Sequence, residues 1–294
     1  MKRLDDFVKV RARIAQADLR TVLFPDELRM WRETPEETRD RQLASVCTVP
    51  MPFDLGIAPL LYSRMKWLGV FRAFGAGADL SLLEVGAGET TTLPEAMALY
   101  AGQLSQGMSP SPPSSKYVTL NMNENLTRAF RDKTSNLPVA AEVIEDDAIN
   151  VKTRVQPGSV DIVAFEHSVN DVLQAILAEA NGFDTTRGDW WEILPEMIGL
   201  ISRAYEEKTL ADKVRAPFLR LVQNCADVLR PGGILAMSHY MFQYDLDLGY
   251  NPELWENMIP VARPWLRDGI TGGKEIFYDG FDPQWWFFWE KRPG

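Results

Sequence analysis

Five short apolar runs recur along the chain: LSLLEV (80–85), KYVTL (116–120), AEVIE (141–145), VDIVAF (160–165) and GILAMS (233–238). Each is separated from the next by a stretch with apolar positions at helical spacing, so the pattern alternates between strand and helix. Such alternation predicts a parallel sheet with helices on both faces. The aromatic run Gln284-Trp285-Trp286-Phe287-Phe288-Trp289-Glu290 predicts a last strand, antiparallel and buried by those helices. Residues 1–77 read differently. Phe7, Val8, Val10, Ile14 and Leu19 keep helical spacing, broken by Pro25, Pro35, Pro50 and Pro52, which predicts several short helices forming a cap. The main domain then covers residues 78–294, with a Ser/Pro-rich loop at 105–116 that ends the first crossover helix.

The connection between the fourth and fifth strands, about residues 166–232, is long enough for a helical insertion at about 168–212. Trp190, Trp191, Ile193, Leu194, Met197, Ile198 and Tyr205 recur there at helical spacing. A stripe of this kind is first of all core, with some members left over to line an apolar pocket. Tyr240, Phe242 and Tyr244 extend the same aromatic set.

Charge narrows the partners. A net charge of -10 with no long Lys/Arg block argues against nucleic acid and against an anionic membrane surface, and leaves a small molecule. The aromatic content of 11% favours an aromatic, terpenoid or amine ligand and leaves a homodimer open. The first sixteen residues, MKRLDDFVKVRARIAQ, carry scattered charges and no long apolar stretch, so neither a signal peptide nor a membrane span is expected, and the expected location is cytoplasmic. Cys47 and Cys225 lie far apart outside any CxxC pattern and read as reduced core thiols rather than a metal or disulfide framework.

The densest chemical signal is Leu82-Leu83-Glu84-Val85-Gly86-Ala87-Gly88-Glu89-Thr90, a buried strand running through a glycine turn into a helix that begins near Thr91, Thr92 and Pro94. Glycines suit a tight turn that lets a ligand approach the backbone. Alone, the pattern also fits an ordinary strand-to-helix turn or a dinucleotide site. The third glycine of the dinucleotide fingerprint is absent, with Thr90 or Thr91 near its place.

In these residues the chain resembles the class I, Rossmann-like S-adenosylmethionine-dependent methyltransferases, and the resemblance runs from about residue 78 to the end. Leu83-Glu84-Val85-Gly86-Ala87-Gly88 is similar to the family's first motif, Glu145-Asp146-Asp147-Ala148 to its Asp-Ala pair, and Val228-Leu229-Arg230-Pro231-Gly232-Gly233-Ile234-Leu235 to its helix, turn and fifth strand. The resemblance implies that Glu84, Gly86, Ala87 and Gly88 hold the methionine part of S-adenosyl-L-methionine. It also implies that Asn121 stands where an acidic residue grips the ribose, with Asn123 or Glu124 as substitutes. Met122, Asp147 and Ala148 would surround the adenine, and Glu166 would touch the cofactor or serve the chemistry. No metal is expected, because two imidazoles and a carboxylate suit a hard cation poorly.

The chain has two histidines, His167 after the fourth strand and His239 after the fifth, both where an open sheet presents ligands. With Glu166 they are the candidate catalytic residues, Asp171 being a rival base that also fits a helix cap beside Asn170. Asn170, Trp190, Trp191, Tyr240 and Tyr244 are the candidate acceptor-binding residues. Three functional readings stay open: a small-molecule methyltransferase, a non-catalytic nucleoside-binding or regulatory protein on the same fold, and a nicotinamide-using enzyme.

Overall fold

The computed structural model describes residues 2–3, 19–46, 48–52, 54–105 and 115–293. The expected helix through Phe7, Val8, Val10 and Ile14, most of the Ser/Pro-rich loop, and Cys47 lie outside the described residues.

Among the described residues seven strands form the main sheet: β1 (Ser81–Val85), β2 (Lys116–Asn121), β3 (Ala140–Glu145), β4 (Val160–Glu166), β5 (Leu229–Ser238), β6 (Gly273–Ile276) and β7 (Trp286–Lys291). Their spatial order is β3-β2-β1-β4-β5-β7-β6. Strands β1 to β5 pair in parallel, and β7 runs antiparallel between β5 and β6. The central strands are buried on both faces, which is why they read as unbroken apolar runs. The predicted α/β sheet with an antiparallel aromatic strand is therefore present.

Two details differ from expectation. Strand β6 is not predicted by the sequence, because four residues with two charges carry little periodic signal, and short charged strands are how sheets blunt their edges. Arg230-Pro231-Gly232-Gly233, expected as a turn ahead of the fifth strand, is a bulge inside β5: Val160 pairs with Leu229, and the register resumes at Ile162 with Ile234. Gly232 has φ 74° there, and a Cβ on Gly233 would stand 2.9 Å from the Arg230 and Asp161 carbonyl oxygens. Only glycine fits that crossing.

Among the described residues three α-helices precede the sheet: α1 (Pro25–Glu33), α2 (Glu36–Val46) and α3 (Ala58–Phe74). Helix α1 opens with Pro25, and the Phe24 N–H just before it donates to the Glu27 carboxylate at 2.9 Å. Helix α3 is apolar nearly all round and ends at Gly75, whose φ of 75° lets the chain turn away. It lies against α4 (Thr92–Leu104), and the core runs without a break from Val22 to Trp289. Helix α5 (Glu124–Thr134) and the single turn α6 (Val151–Arg154) flank β3 in sequence. Between β4 and β5 come α7 (Val169–Ala180), α8 (Trp190–Glu206) and α9 (Leu210–Val228), and between β5 and β6 come α10 (Gln243–Asp247), α11 (Pro252–Glu256) and α12 (Met258–Gly269). Leu194, Met197, Ile198 and Ile201 of α8 are buried, whereas Trp191 is half exposed. Among the described residues no helix is long and apolar enough to cross a membrane.

Candidate active site

Strand order reverses at β1 and β4: the chain leaves β1 toward β2 on one side, and returns to β4 on the other. Crossover connections diverge at such a point and leave a crevice beyond the carboxyl ends of the strands. A cavity of about 840 Å³ lies there. Its floor is built from Val85 to Thr90 after β1, Leu120 to Asn123 after β2, Asp147 and Ala148 after β3, and Glu166 and His167 after β4.

The glycine turn is held open by its neighbours. Gly86 and Gly88 adopt φ of 68° and 59°, a region that side-chain-bearing residues rarely enter. No heavy atom lies within 4 Å of the place a Cβ on Gly88 would occupy. Ser168 Oγ donates to the Val85 carbonyl at 2.7 Å, and the Gly86 N–H donates to the Leu120 carbonyl at 3.0 Å. Asn121 completes the support: its Oδ1 accepts from the Gly88 N–H at 3.1 Å and its Nδ2 donates to the Gly88 carbonyl at 2.8 Å.

That clamp alters the expected role of Asn121. Both polar ends of this buried side chain are committed to the backbone of the turn rather than offered to a ribose. An aspartate in its place would set a carboxylate against the Gly88 carbonyl. Asn121→Asp is therefore expected to destabilise the fold by about 1–3 kcal/mol and to weaken ligand binding at the turn, as urea unfolding and calorimetric titration would show. Asn123 is equally occupied: its Oδ1 caps α5 through the N–H groups of Asn125 and Leu126, and its Nδ2 donates to the Thr185 and Gly188 carbonyls. Met122 and Asp147 are shared with an adjoining hollow of about 510 Å³ that Glu124 also lines.

Glu84 stands apart from the wall. It is 1% exposed and outside the cavity lining, and its carboxylate accepts from the Tyr117 hydroxyl on β2. Burial pushes its pKa well above the ordinary carboxyl value, against the Tyr117 hydrogen bond and with the charge of Glu166 adding to the rise. The expected contact of Glu84 with the methionine part of the cofactor is therefore not seen: the register puts Glu84 on the same sheet face as Asn121 and Glu166, but deeper in the strand, where Tyr117 holds it.

Glu166 does reach the cavity. Trp67 Nε1, from α3, donates to its Oε2 at 2.7 Å, and Ser238 Oγ donates to the same oxygen. Burial raises its pKa to about 7 despite those two bonds. The unfolded chain releases this proton near 4.5, so between about pH 4.5 and 7 the folded protein binds more protons than the unfolded one. Stability must fall as pH rises through that window. Glu166→Gln is expected to flatten that slope by about 2 kcal/mol, read from urea midpoints at the two ends of the window.

The two histidines are stacked, with ring centroids 4.6 Å apart. His167, at φ 53°, lines the cavity, and its Nδ1 accepts from the Tyr240 N–H at 3.2 Å. The neutral ring then carries its proton on Nε2, so it offers a donor and no free lone pair. Burial lowers its pKa, opposed by the nearby charge of Asp245. His239 is fully buried behind it, edge-on to Trp255, with its pKa driven far down by burial and by His167. His239 is not on the cavity wall, which corrects its expected place facing the acceptor.

Asn170, Trp190, Trp191, Tyr240 and Tyr244 all line the cavity, as do Gly86, Ala87, Gly88, Asp147 and Ala148. The sequence reading missed Asp245 and Tyr250 on the same wall, and Trp67 behind it. Asp245 lies in the first turn of α10, where its carboxylate accepts from the Phe242 N–H at 2.9 Å. Among the described residues no group of three or more His, Cys, Asp or Glu is arranged to hold a metal ion.

No protein-family model matches the sequence, and no curated protein matches it. Among solved structures the chain is similar to a SAM-dependent methyltransferase from Aquifex aeolicus, at 15% identity and a TM-score of 0.44, over 76% of this chain and 86% of that one. It is also similar to the CurJ carbon methyltransferase, at 13% identity and a TM-score of 0.43, over 82% of this chain and 56% of that one. A third similar structure is the [4+2]-cyclase SpnF, at 10% identity and a TM-score of 0.42, over 82% of this chain and 83% of that one. These are remote likenesses, and the chemistry has to come from the cavity's own residues.

Proposed function

We propose that the chain is an S-adenosylmethionine-dependent methyltransferase acting on a small-molecule acceptor. The observation that carries this reading is the glycine turn at the switch point, where Gly86 and Gly88, lacking side chains, leave room beside a cavity reached by Asp147, Glu166 and His167. The residues fit such a cofactor. A Cβ at Gly88 would project into open space beside the turn, and no lysine or arginine is among the described lining residues to repel a sulfonium. Bound there, the cofactor supplies a methyl group on a positively charged sulfur, which an acceptor's lone pair can displace in line.

The chain's part is then to hold and align the acceptor, to exclude water, and to take a proton where the acceptor has one to lose. Glu166, with a pKa near 7, suits the last task better than His167, whose Nδ1 lone pair is already used. His167 Nε2–H would orient an acceptor oxygen or nitrogen. The helices of residues 1–77 and the insertion at about 168–212 act as the cover, since Gly56, Pro59, Leu60 and Ser63 from the first and Trp190, Trp191 and Leu194 from the second face the cavity.

A second reading has its own support. Asn121 and Glu84, two of the expected cofactor contacts, are committed elsewhere, which favours a nucleoside-binding protein without transfer. The two separate on turnover. Incubation with S-adenosylmethionine and a panel of aromatic, terpenoid and amine acceptors should release S-adenosylhomocysteine only when an acceptor is present, and Glu166→Gln should slow release without weakening nucleoside binding. Tight nucleoside binding with no release across the panel would favour the second reading.

A further inference from the structure

Charge is distributed unevenly over the cavity. Six carboxyl side chains line it, Glu89, Asp147, Glu166, Asp171, Glu179 and Asp245, and among the described lining residues there is no lysine or arginine. A cleft lined by one sign of charge, with low-dielectric walls, concentrates ligands of the opposite sign. Glu89 and Asp147 sit toward the glycine turn and the end of β3. Asp171 and Asp245 sit at the other end, on α7 and α10, above the ends of β4 and β5.

At that end the hydrogen bonding is incomplete. Asp171 Oδ1 accepts from Asn170 Nδ2 at 2.7 Å, and Asp245 Oδ2 accepts from the Phe242 N–H at 2.9 Å. Among the described residues neither Asp171 Oδ2 nor Asp245 Oδ1 has a partner. Asn170 is 4% exposed and lines the cavity, yet among the described residues its Oδ1 accepts no hydrogen bond. A buried amide oxygen without a donor is costly, and in a residue of the cavity wall a small shift would let a donor from whatever fills the cavity satisfy it. The groups that interact with the pair are His167 and Tyr250, and neither brings a cation to it: burial lowers the His167 pKa, and the Tyr250 hydroxyl is tied to Gln174.

We propose that Asp171 and Asp245, beside Asn170, form the recognition site for a cationic amine with an aromatic body, and that this amine, once it has passed a proton to a carboxylate of this wall and so freed its lone pair, is the acceptor. That last step rests on the methyl-transfer reading above. An ammonium group supplies several N–H donors and a positive charge together, which suits the free carboxylate oxygens of this wall. Phe242, Tyr244 and Trp190 supply the apolar and π surface beside it. Burial and the like charge of Asp245 hold the Asp171 carboxyl at a pKa of about 7, a cost that a bound cation relieves. The same wall disfavours carboxylate- and phosphate-bearing acceptors.

The test compares three probes that share one body: 2-phenylethylamine, 2-phenylethanol and phenylacetate. Each is titrated into the full-length protein at pH 7.5 by calorimetry, with and without S-adenosylhomocysteine. The amine should bind at least about tenfold tighter than the alcohol, and phenylacetate should not bind. Asp171→Asn and Asp245→Asn should each remove most of that preference, with Asp171→Asn the cleaner variant because Asp245 also caps α10. Equal binding of amine and alcohol to the parent protein, binding of phenylacetate, or no amine binding at all would overturn the proposal without any variant. Failure of the nucleoside to bind while the amine still does would sink the methyl-transfer reading and leave the amine site standing.

Discussion

Replacing Gly88 by valine is expected to lower the affinity for S-adenosylhomocysteine by on the order of 100-fold or more, with the protein still folded. Two effects act together. The residue holds φ of 59°, so any L side chain costs about 1–2 kcal/mol in that conformation. The branched side chain would also project into the open space beside the turn, where the ligand must approach the backbone. A relaxing turn would in addition strain the Asn121 clamp, since both bonds of that clamp are to Gly88 itself. Thermal unfolding separates the causes: a small shift in midpoint with a large loss of binding locates the effect at the site. A variant that binds as the parent does would mean that the nucleoside, if it binds, lies elsewhere.

The second large effect concerns stability. Arg64 is fully buried in α3, and its guanidinium meets Glu27 of α1 at 2.6 and 2.9 Å and Glu95 of α4 through Nε at 3.2 Å. It also donates to the Val22 carbonyl at 3.3 Å. One cation thus joins three helices that are far apart in sequence. Arg64→Ala leaves two partly buried carboxylates facing each other with nothing between them, and is expected to cost about 3–5 kcal/mol in urea unfolding. Neutralising both partners in the same chain, as Glu27→Gln with Glu95→Gln, should recover part of that loss. A cost below about 1 kcal/mol would show that the network contributes no more than a surface ion pair.

How far the sequence could be read depended on where each signal lay. Strands β1, β4 and β5 were plain because parallel strands buried on both faces are apolar runs flanked by turn residues. Strand β6 was not, since Gly273–Ile276 is a short charged edge whose place is fixed by pairing with β7 rather than by its own pattern. The residues after β1, β3 and β4 could be placed on the cavity because an open sheet exposes the positions just past the carboxyl end of each strand. Glu84 escaped that logic because it lies before the strand end, on the same face as Asn121 and Glu166 but deeper, where the Tyr117 hydroxyl meets it.

Asp245 and Trp67 show the other limit. Helix α10 is positioned by a distant segment: the Met51 N–H donates to the Met241 carbonyl at 2.7 Å, and the Gln243 N–H donates to the Met51 carbonyl at 2.8 Å. Nothing local to residues 241–247 announces that contact. Trp67 likewise meets Glu166 across 99 positions of sequence. Spacing rules speak for neighbours along one element, and both of these contacts are made between elements.

The most direct measurement is calorimetric titration of the purified protein with S-adenosylhomocysteine and, separately, with NADH. Micromolar binding of the sulfur nucleoside, no binding of NADH, and loss of the former in Gly88→Val are the results expected of a methyltransferase site at the glycine turn. Binding of NADH in its place, or of neither, would contradict it.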